Sequence, residues 1–211
     1  MYWTSYVPGD GSYGGSNYFG HSLEVEYGIT GNYTIALYAD FQHSAGNDFE
    51  YIRAKAVMMH YQFLDKNALP VDLGVYLEYK PPRRMDSVKS EEIELKLILE
   101  KDIKFHRITL NPTFEKKISG MEVSEGVEFA FNGGYAYTKS MVFQPRLEFY
   151  TKMGELYDLS PFNQQQNYIF PAFDLFFGKY GQFRWHAGVG IGLTGEAEDL
   201  VVKSILSWEF F

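Results

Sequence analysis

The stretch Ser22-Leu23-Glu24-Val25-Glu26-Tyr27-Gly28-Ile29 sets Leu23, Val25, Tyr27 and Ile29 on one parity and Ser22, Glu24, Glu26 and Gly28 on the other. Side chains of a strand alternate between two faces, whereas a helix returns to the same face after about 3.6 residues. The run therefore predicts a strand with one apolar and one charged face. Beyond Gly31 and Asn32 the pattern resumes, with Ile35, Leu37, Ala39 and Phe41 opposite Thr34, Ala36, Tyr38 and Asp40. Two such runs across a short polar link predict an antiparallel hairpin.

Working outward, the same period recurs to both ends of the chain. Val71, Leu73, Val75, Leu77 and Tyr79 oppose Asp72, Gly74, Tyr76 and Glu78, and Ile93, Leu95, Leu97 and Leu99 oppose Glu94, Lys96 and Glu100. Ile108, Leu110 and Phe114 oppose Arg107 and Glu115, Val127 and Phe129 oppose Glu128, and Phe143, Leu147 and Phe149 oppose Arg146 and Glu148. Trp185, Ala187, Val189 and Ile191 oppose Arg184, His186 and alternating glycines, while Val202, Leu206, Trp208 and Phe210 oppose Lys203, Ser207 and Glu209. Two runs are less regular. Between Ile52 and Phe63 the polar face marked by Arg53 and Lys55 later carries Tyr61 and Phe63, which predicts a bulge or a strand end. Between Ile169 and Phe177, Asp174 shares its face with Phe170 and Phe176. With a short opening strand over 2–7, the reading is all-β, about twelve strands in one domain over 1–211, with no helical stripe.

Composition closes off other classes. Hydrophobic residues make up 45% and aromatics 18% of 211 residues, too rich for a disordered chain, and no window supplies the roughly 18 consecutive apolar residues of a membrane-crossing helix. A net charge of −8 opposes binding to phosphate backbones, so nucleic acid is not an expected partner. The chain has no Cys, which removes thiolate metal sites and thiol nucleophiles. Met1-Tyr2-Trp3 opens without a basic, then apolar, export leader, which fits either a cytosolic chain or one whose leader has been removed.

Connections expected at 8–20, 42–48, 80–90, 118–125, 154–166 and 194–199 are mostly longer than those at 28–32, 64–70, 101–105, 138–140 and 178–182. Aromatics gather at the shorter ones: Tyr27 and Tyr33, then Tyr135, Tyr137 and Phe143, then Phe177, Tyr180, Phe183 and Trp185. Short turns at one end, long loops at the other, an aromatic girdle and segments of eight to eleven residues are the marks of a barrel that crosses a bilayer with strands. In these features, and in its aromatic ending Ser207-Trp208-Glu209-Phe210-Phe211, the chain resembles the bacterial outer-membrane β-barrel family, though Phe211 falls out of phase with Phe210 and Trp208. The resemblance implies a transmembrane up-and-down antiparallel barrel in the outer membrane, both termini periplasmic, its apolar face against the lipid bilayer.

In such a barrel the charged face lines the lumen. The expected pore-lining residues are Glu24, Glu26, Asp40, Arg53, Lys55, Asp72, Glu78, Glu94, Lys96, Arg107, Glu115, Glu128, Arg146, Glu148, Asp174, Arg184, His186, Lys203 and Glu209. Acids outnumber bases among them, and twelve strands enclose a narrow space, so a channel or passive transporter for small polar solutes or ions with a weak cation preference is expected. The same residues also suit wall salt bridges in a closed barrel whose partner protein docks on the long loops. A soluble β-barrel binding protein would bury the apolar face instead. Neither catalytic residues nor cofactors are expected. His21-Ser22 and His43-Ser44 should approach one another on adjacent strands, but nothing orients a base for a serine nucleophile. His21, His43, Asp40 and Asp48 lack close ligand spacing, so no metal is expected. Gly188, Gly190 and Gly192 leave space on the inward face, either to widen a pore or to receive an opposing ring.

Overall fold

The computed structural model describes residues 1–8, 17–44, 49–63, 66, 68–83 and 90–210. Asp48, Arg84 and Phe211 lie outside the described residues, so the metal reading at Asp48 and the phase of Phe211 go no further. The strands are β1 (Tyr2–Val7), β2 (Tyr18–Thr30), β3 (Tyr33–Ser44), β4 (Glu50–Gln62), β5 (Asp72–Lys80), β6 (Glu91–Ile103), β7 (His106–Ser119), β8 (Glu128–Tyr137) and β9 (Phe143–Glu155). They are followed by a two-residue β10 (Asp158–Leu159), β11 (Gln166–Phe177), β12 (Phe183–Gly192) and β13 (Leu200–Trp208). Every wall strand pairs antiparallel with its neighbours, and the ring closes where β1 pairs with both β2 and β13. β10 only folds back on the end of β9, leaving twelve strands in the wall. Closure removes the exposed edges of an open sheet and satisfies the backbone without water, the condition for crossing a hydrocarbon layer.

The distribution of apolar surface is the reverse of a soluble core. Leu23, Val25, Leu37 and Phe210 are among many large apolar side chains on the outside, with Val25 69% exposed. Buried positions are mostly polar or charged, including Glu78, Glu94, Glu148, Asp174 and Lys203. The apolar faces thus point away from the lumen, the opposite of what a soluble binding barrel would bury.

Two-residue turns at Gly31-Asn32 and Lys104-Phe105 share the end of the barrel where β13 finishes, whereas β1 starts part-way up the wall, with the Met1 ammonium donating to the Glu24 carbonyl at 2.6 Å. Lys104 has φ 57°, the left-handed conformation that two-residue hairpins demand and that non-glycine residues adopt at a cost. One connection departs from the expected length pattern: 63–71 is long and sits at the short-turn end. Lys66 there reaches Glu100 at 3.1 Å and Asp102 at 2.8 Å. Burial pulls the Lys66 ammonium down in pKa, but hydrogen bonds to Asp102 and Glu100 outweigh it and hold the group above its usual range.

The irregular run in β4 is a bulge. Pairing with β5 jumps between Val57 and Met59, so Arg53, Lys55 and Val57 face inward above it while His60 faces inward below it. Tyr61 and Phe63 are thereby returned to the outer face, where their rings meet edge-on at 5.4 Å. Aromatics ring the short-turn end: Phe177 stacks on Phe183 at 5.3 Å, Phe183 on Trp208 at 5.5 Å, and the Tyr33 hydroxyl donates to the Met58 carbonyl.

Candidate functional site: the ion-paired interior

Strand alternation delivers one charged side chain to the interior every second residue, and cross-strand register decides which of them meet. On the β3–β7 side, Asp40 receives Lys55 at 3.3 Å and Arg53 at 3.7 Å, and Arg53 also reaches Glu92 at 3.5 Å. Lys55 continues to Glu78 at 3.5 Å. Lys80 pairs with Glu94 at 2.7 Å and with Glu115, while Lys96 pairs with the other oxygen of Glu94 at 2.8 Å. On the β9–β13 side, Arg146 bridges Glu148 at 3.1 Å and Asp174 at 2.9 Å. His186 puts Nδ1 2.9 Å from Asp174 and Nε2 3.6 Å from Glu148, and Lys203 donates to Glu148. Asp174 is 2% exposed, so each of its oxygens needs these partners.

Three tyrosines tie the two sides together in chemistry. Lys55 lies 4.8 Å over the Tyr38 ring, whose hydroxyl donates to Glu24 at 2.6 Å. Lys96 lies 4.4 Å over the Tyr76 ring, whose hydroxyl donates to Glu78 at 3.0 Å. Lys203 lies 4.7 Å over the Tyr150 ring, whose hydroxyl donates to Glu148 at 3.0 Å. Tyr38 and Tyr76 each offer a ring face to an ammonium of the adjacent strand and an O–H to a carboxylate. Lys203 of β13 reaches further, past β12 and β11 to β9, where the Tyr150 hydroxyl also accepts from it at 2.8 Å.

Most of the expected residues therefore meet in pairs. Glu26 faces His60 at 3.8 Å, Arg107 makes two bonds to Asp102 at 2.8 and 3.0 Å, and Glu128 meets Lys152 at 2.8 Å. Arg184 stands at the margin, 4.0 Å from Asp174. Asp72 opens β5 beside a cavity shared with Lys66 and Glu100. Glu209 lies beyond the end of β13, exposed, its backbone N–H bonded to the Gln182 carbonyl, so it takes no place in the wall. Lys80, Glu92, Asp102 and Lys152 were hidden from the sequence reading because strands β5, β6 and β9 carry charged residues at their ends that resemble loop. The tyrosines could have been found: Tyr38 and Tyr76 sit on the charged parity, where an aromatic needs a reason.

Gly190 receives a ring. A Cβ built there would stand 2.5 Å from two edge carbons of Phe170, which lies flat against β12 beneath Lys203 at 4.8 Å. The histidines do approach as expected, His21 Nε2 lying 3.1 Å from His43 Nδ1, but on the outer face. Ser22 points the other way and donates to Asp40 at 2.7 Å, so it forms no nucleophile with His21.

Two of the interior cavities adjoin each other. One of about 340 Å³ lies among Thr113, Asn132, Thr151 and Tyr168, and another of about 530 Å³ lies among Trp3, Glu24, His60 and Tyr76. Glu94 and Lys96 line both.

These features settle the fold. It is a closed antiparallel barrel of twelve wall strands. A solved structure described as KdgM porin superposes with a TM-score of 0.63 at 9% identity, covering 100% of this chain and 98% of its own. LpxR from Salmonella typhimurium superposes at 0.50 with 8% identity, covering 99% of each chain. At such identities the likeness is one of fold. No protein-family model and no curated protein matches the sequence.

Proposed function

We propose that the chain is a single outer-membrane barrel that passes small polar solutes or ions through a narrow lumen, with a weak preference for cations. The observation that carries this reading is the pair of interior cavities meeting at Glu94 and Lys96, walled by charges that are already paired. Paired charges leave a polar path without a deep well in which a solute would be trapped, which conduction requires. The fold it shares with KdgM porin is consistent with passage of this kind. The acidic excess on the wall sets the sign of the preference. It is modest, since Lys80 and Lys152 on the inward face offset the further acids Glu92 and Asp102, and Lys117 is neutralised by Glu122 and Glu125.

Planar-bilayer recording under a salt gradient tests the reading: the expected reversal potential is cation-selective and shrinks in high salt, where screening falls to about 3 Å at 1 M. An anion-selective reversal refutes the charge assignment. A second reading, a closed barrel that docks a protein on its long loops, is favoured by the burial of Asp174, Glu148, His186 and Lys203 in one cluster. The absence of any conductance selects it.

A further inference from the structure

The outer wall should be apolar, yet it carries a hydrogen-bonded file of three polar side chains. The Tyr2 hydroxyl lies 2.8 Å from His21 Nδ1, and His21 Nε2 lies 3.1 Å from His43 Nδ1. The two imidazoles are stacked within 5° of parallel, and Phe49 packs on both, at 4.8 Å from His21 and 4.6 Å from His43. Phe19 stacks on the far face of His43 at 4.6 Å. Parallel rings do not converge their lone pairs on one point, and no group of three metal-binding side chains occurs among the described residues. The arrangement is built for hydrogen bonding.

Proton count sets its direction. Each link holds one proton, and a phenol is the natural donor to a neutral imidazole nitrogen. With Tyr2 donating to His21 Nδ1, His21 carries its proton on Nε2 and gives it to His43 Nδ1. The proton of His43 then resides on Nε2, a donor with no acceptor among the described residues. Its height is fixed by the strand. At about 3.3 Å per residue and a tilt near 40°, the ten residues from Tyr33 in the short-turn girdle to His43 climb about 25 Å, the full height of an apolar band. His43 therefore reaches the opposite interface, where headgroups begin, while Tyr2 and His21 stand deeper.

We propose that His43, oriented by His21 and Tyr2, binds the phosphate of a lipid headgroup on the long-loop side of the barrel. At this height water is the competing partner for the N–H, and an anionic phosphate oxygen offers it a stronger, charge-assisted bond. Phe19, level with His43 across the β2–β3 register, packs on that ring, and Phe49 packs on both imidazoles. The site lies on the outside of the wall, so it stands or falls independently of conduction through the lumen.

The test uses the full chain reconstituted in phosphatidylglycerol vesicles, with histidines labelled with nitrogen-15 and solid-state dephasing read between nitrogen and phosphorus. The expected result, read in a His106→Gln background because His106 is a further outward histidine and stands at the short-turn interface, is that His43 Nε2 alone is dephased by lipid phosphorus and is the protonated nitrogen of its ring. In galactolipid vesicles, which keep ester carbonyls but lack phosphate, the dephasing disappears. His43→Gln should release bound phosphatidylglycerol about tenfold faster on detergent exchange. Tyr2→Phe, which keeps the ring and loses only the hydroxyl, should weaken the dephasing with the barrel still heat-modifiable on a gel. Absence of phosphorus dephasing at His43, an unprotonated His43 Nε2, or equal lipid release by wild type and His43→Gln overturns the proposal.

Discussion

Gly190→Ala adds one carbon to the inward face of β12 and tests whether the glycines are there to lay a ring against the wall. The new Cβ would stand 2.5 Å from two carbons of Phe170, where ordinary contact begins at 3.4 Å, so the ring must retreat by about 1 Å. It cannot retreat along the wall, because Tyr168 and Tyr150 flank it, with ring centroids at 6.2 and 5.2 Å. The remaining direction is toward the lumen, which lifts Phe170 into Lys203 and disturbs its seat on that ring. Overpacking of this kind costs about 1–3 kcal/mol, and a lost cation–π contact about 0.5–1 kcal/mol more. Thermal unfolding of the reconstituted barrel, followed by its gel mobility shift, should move down accordingly, and single-channel conductance should fall as the ring enters the path. Phe170→Ala in the same chain removes the obstacle, so the double variant should recover conductance and most of the difference in stability. A Gly190→Ala barrel as stable and as conductive as wild type would refute the argument, as would a double variant whose losses simply add.

Four further outcomes follow from the same geometry. Glu148→Gln leaves Lys203, Arg146 and His186 sharing a neutral amide inside the wall, so it should destabilise by about 3–5 kcal/mol, as breaking a buried ion pair does, and denaturant titration measures it. Tyr76→Leu removes the ring beneath Lys96 and leaves its ammonium held by Glu94, so the looser side chain should add open-channel current noise with little change in mean conductance. Lys104→Gly relieves a positive φ and should raise stability by about 1 kcal/mol, checked by the unfolding midpoint. Protease added to intact cells should cut first in the long connections such as 120–127 and spare 31–32 and 138–142; cuts confined to the latter would invert the orientation.

Alternation over Ser22–Ile29 and Thr34–Phe41 was enough to establish the strands, because a period of two survives wherever one face meets lipid and the other water. The irregularity of β4 was legible but not its kind: Tyr61 and Phe63 on a face opened by Arg53 fitted a bulge or a strand end, and the structure shows the bulge, between Val57 and Met59. Strand ends were less legible. β6 begins at Glu91 and runs to Ile103, and its charged termini have the composition of loop, so Glu92 and Asp102 passed unnoticed. Pairing could not be read at all, since Glu94 meets Lys80 only through the register that sets Glu78 opposite Glu94 and Glu94 opposite Glu115. Glu209 failed for the opposite reason: its parity was right, but the strand had already ended.

The recurrence of one device at three places bears on why the lumen carries so many charges. A lysine stem is long enough to reach far across a twelve-stranded interior, and an unrestrained one would sweep that space and bind the nearest carboxylate on the other side. Tyr38 and Tyr76 prevent this by seating Lys55 and Lys96 on their rings, and Tyr150 fixes the longer reach of Lys203 through its ring and its hydroxyl oxygen at 2.8 Å. Each hydroxyl meanwhile holds a glutamate of the same wall, so the carboxylate is fixed within reach of the ammonium it neutralises. An apolar wall would need no such restraint, but it would leave a narrow path that expels water. A wall of unrestrained charges would stay wet and close on itself. Seated pairs satisfy both demands, because the charge keeps the interior polar while the aromatic ring keeps it clear.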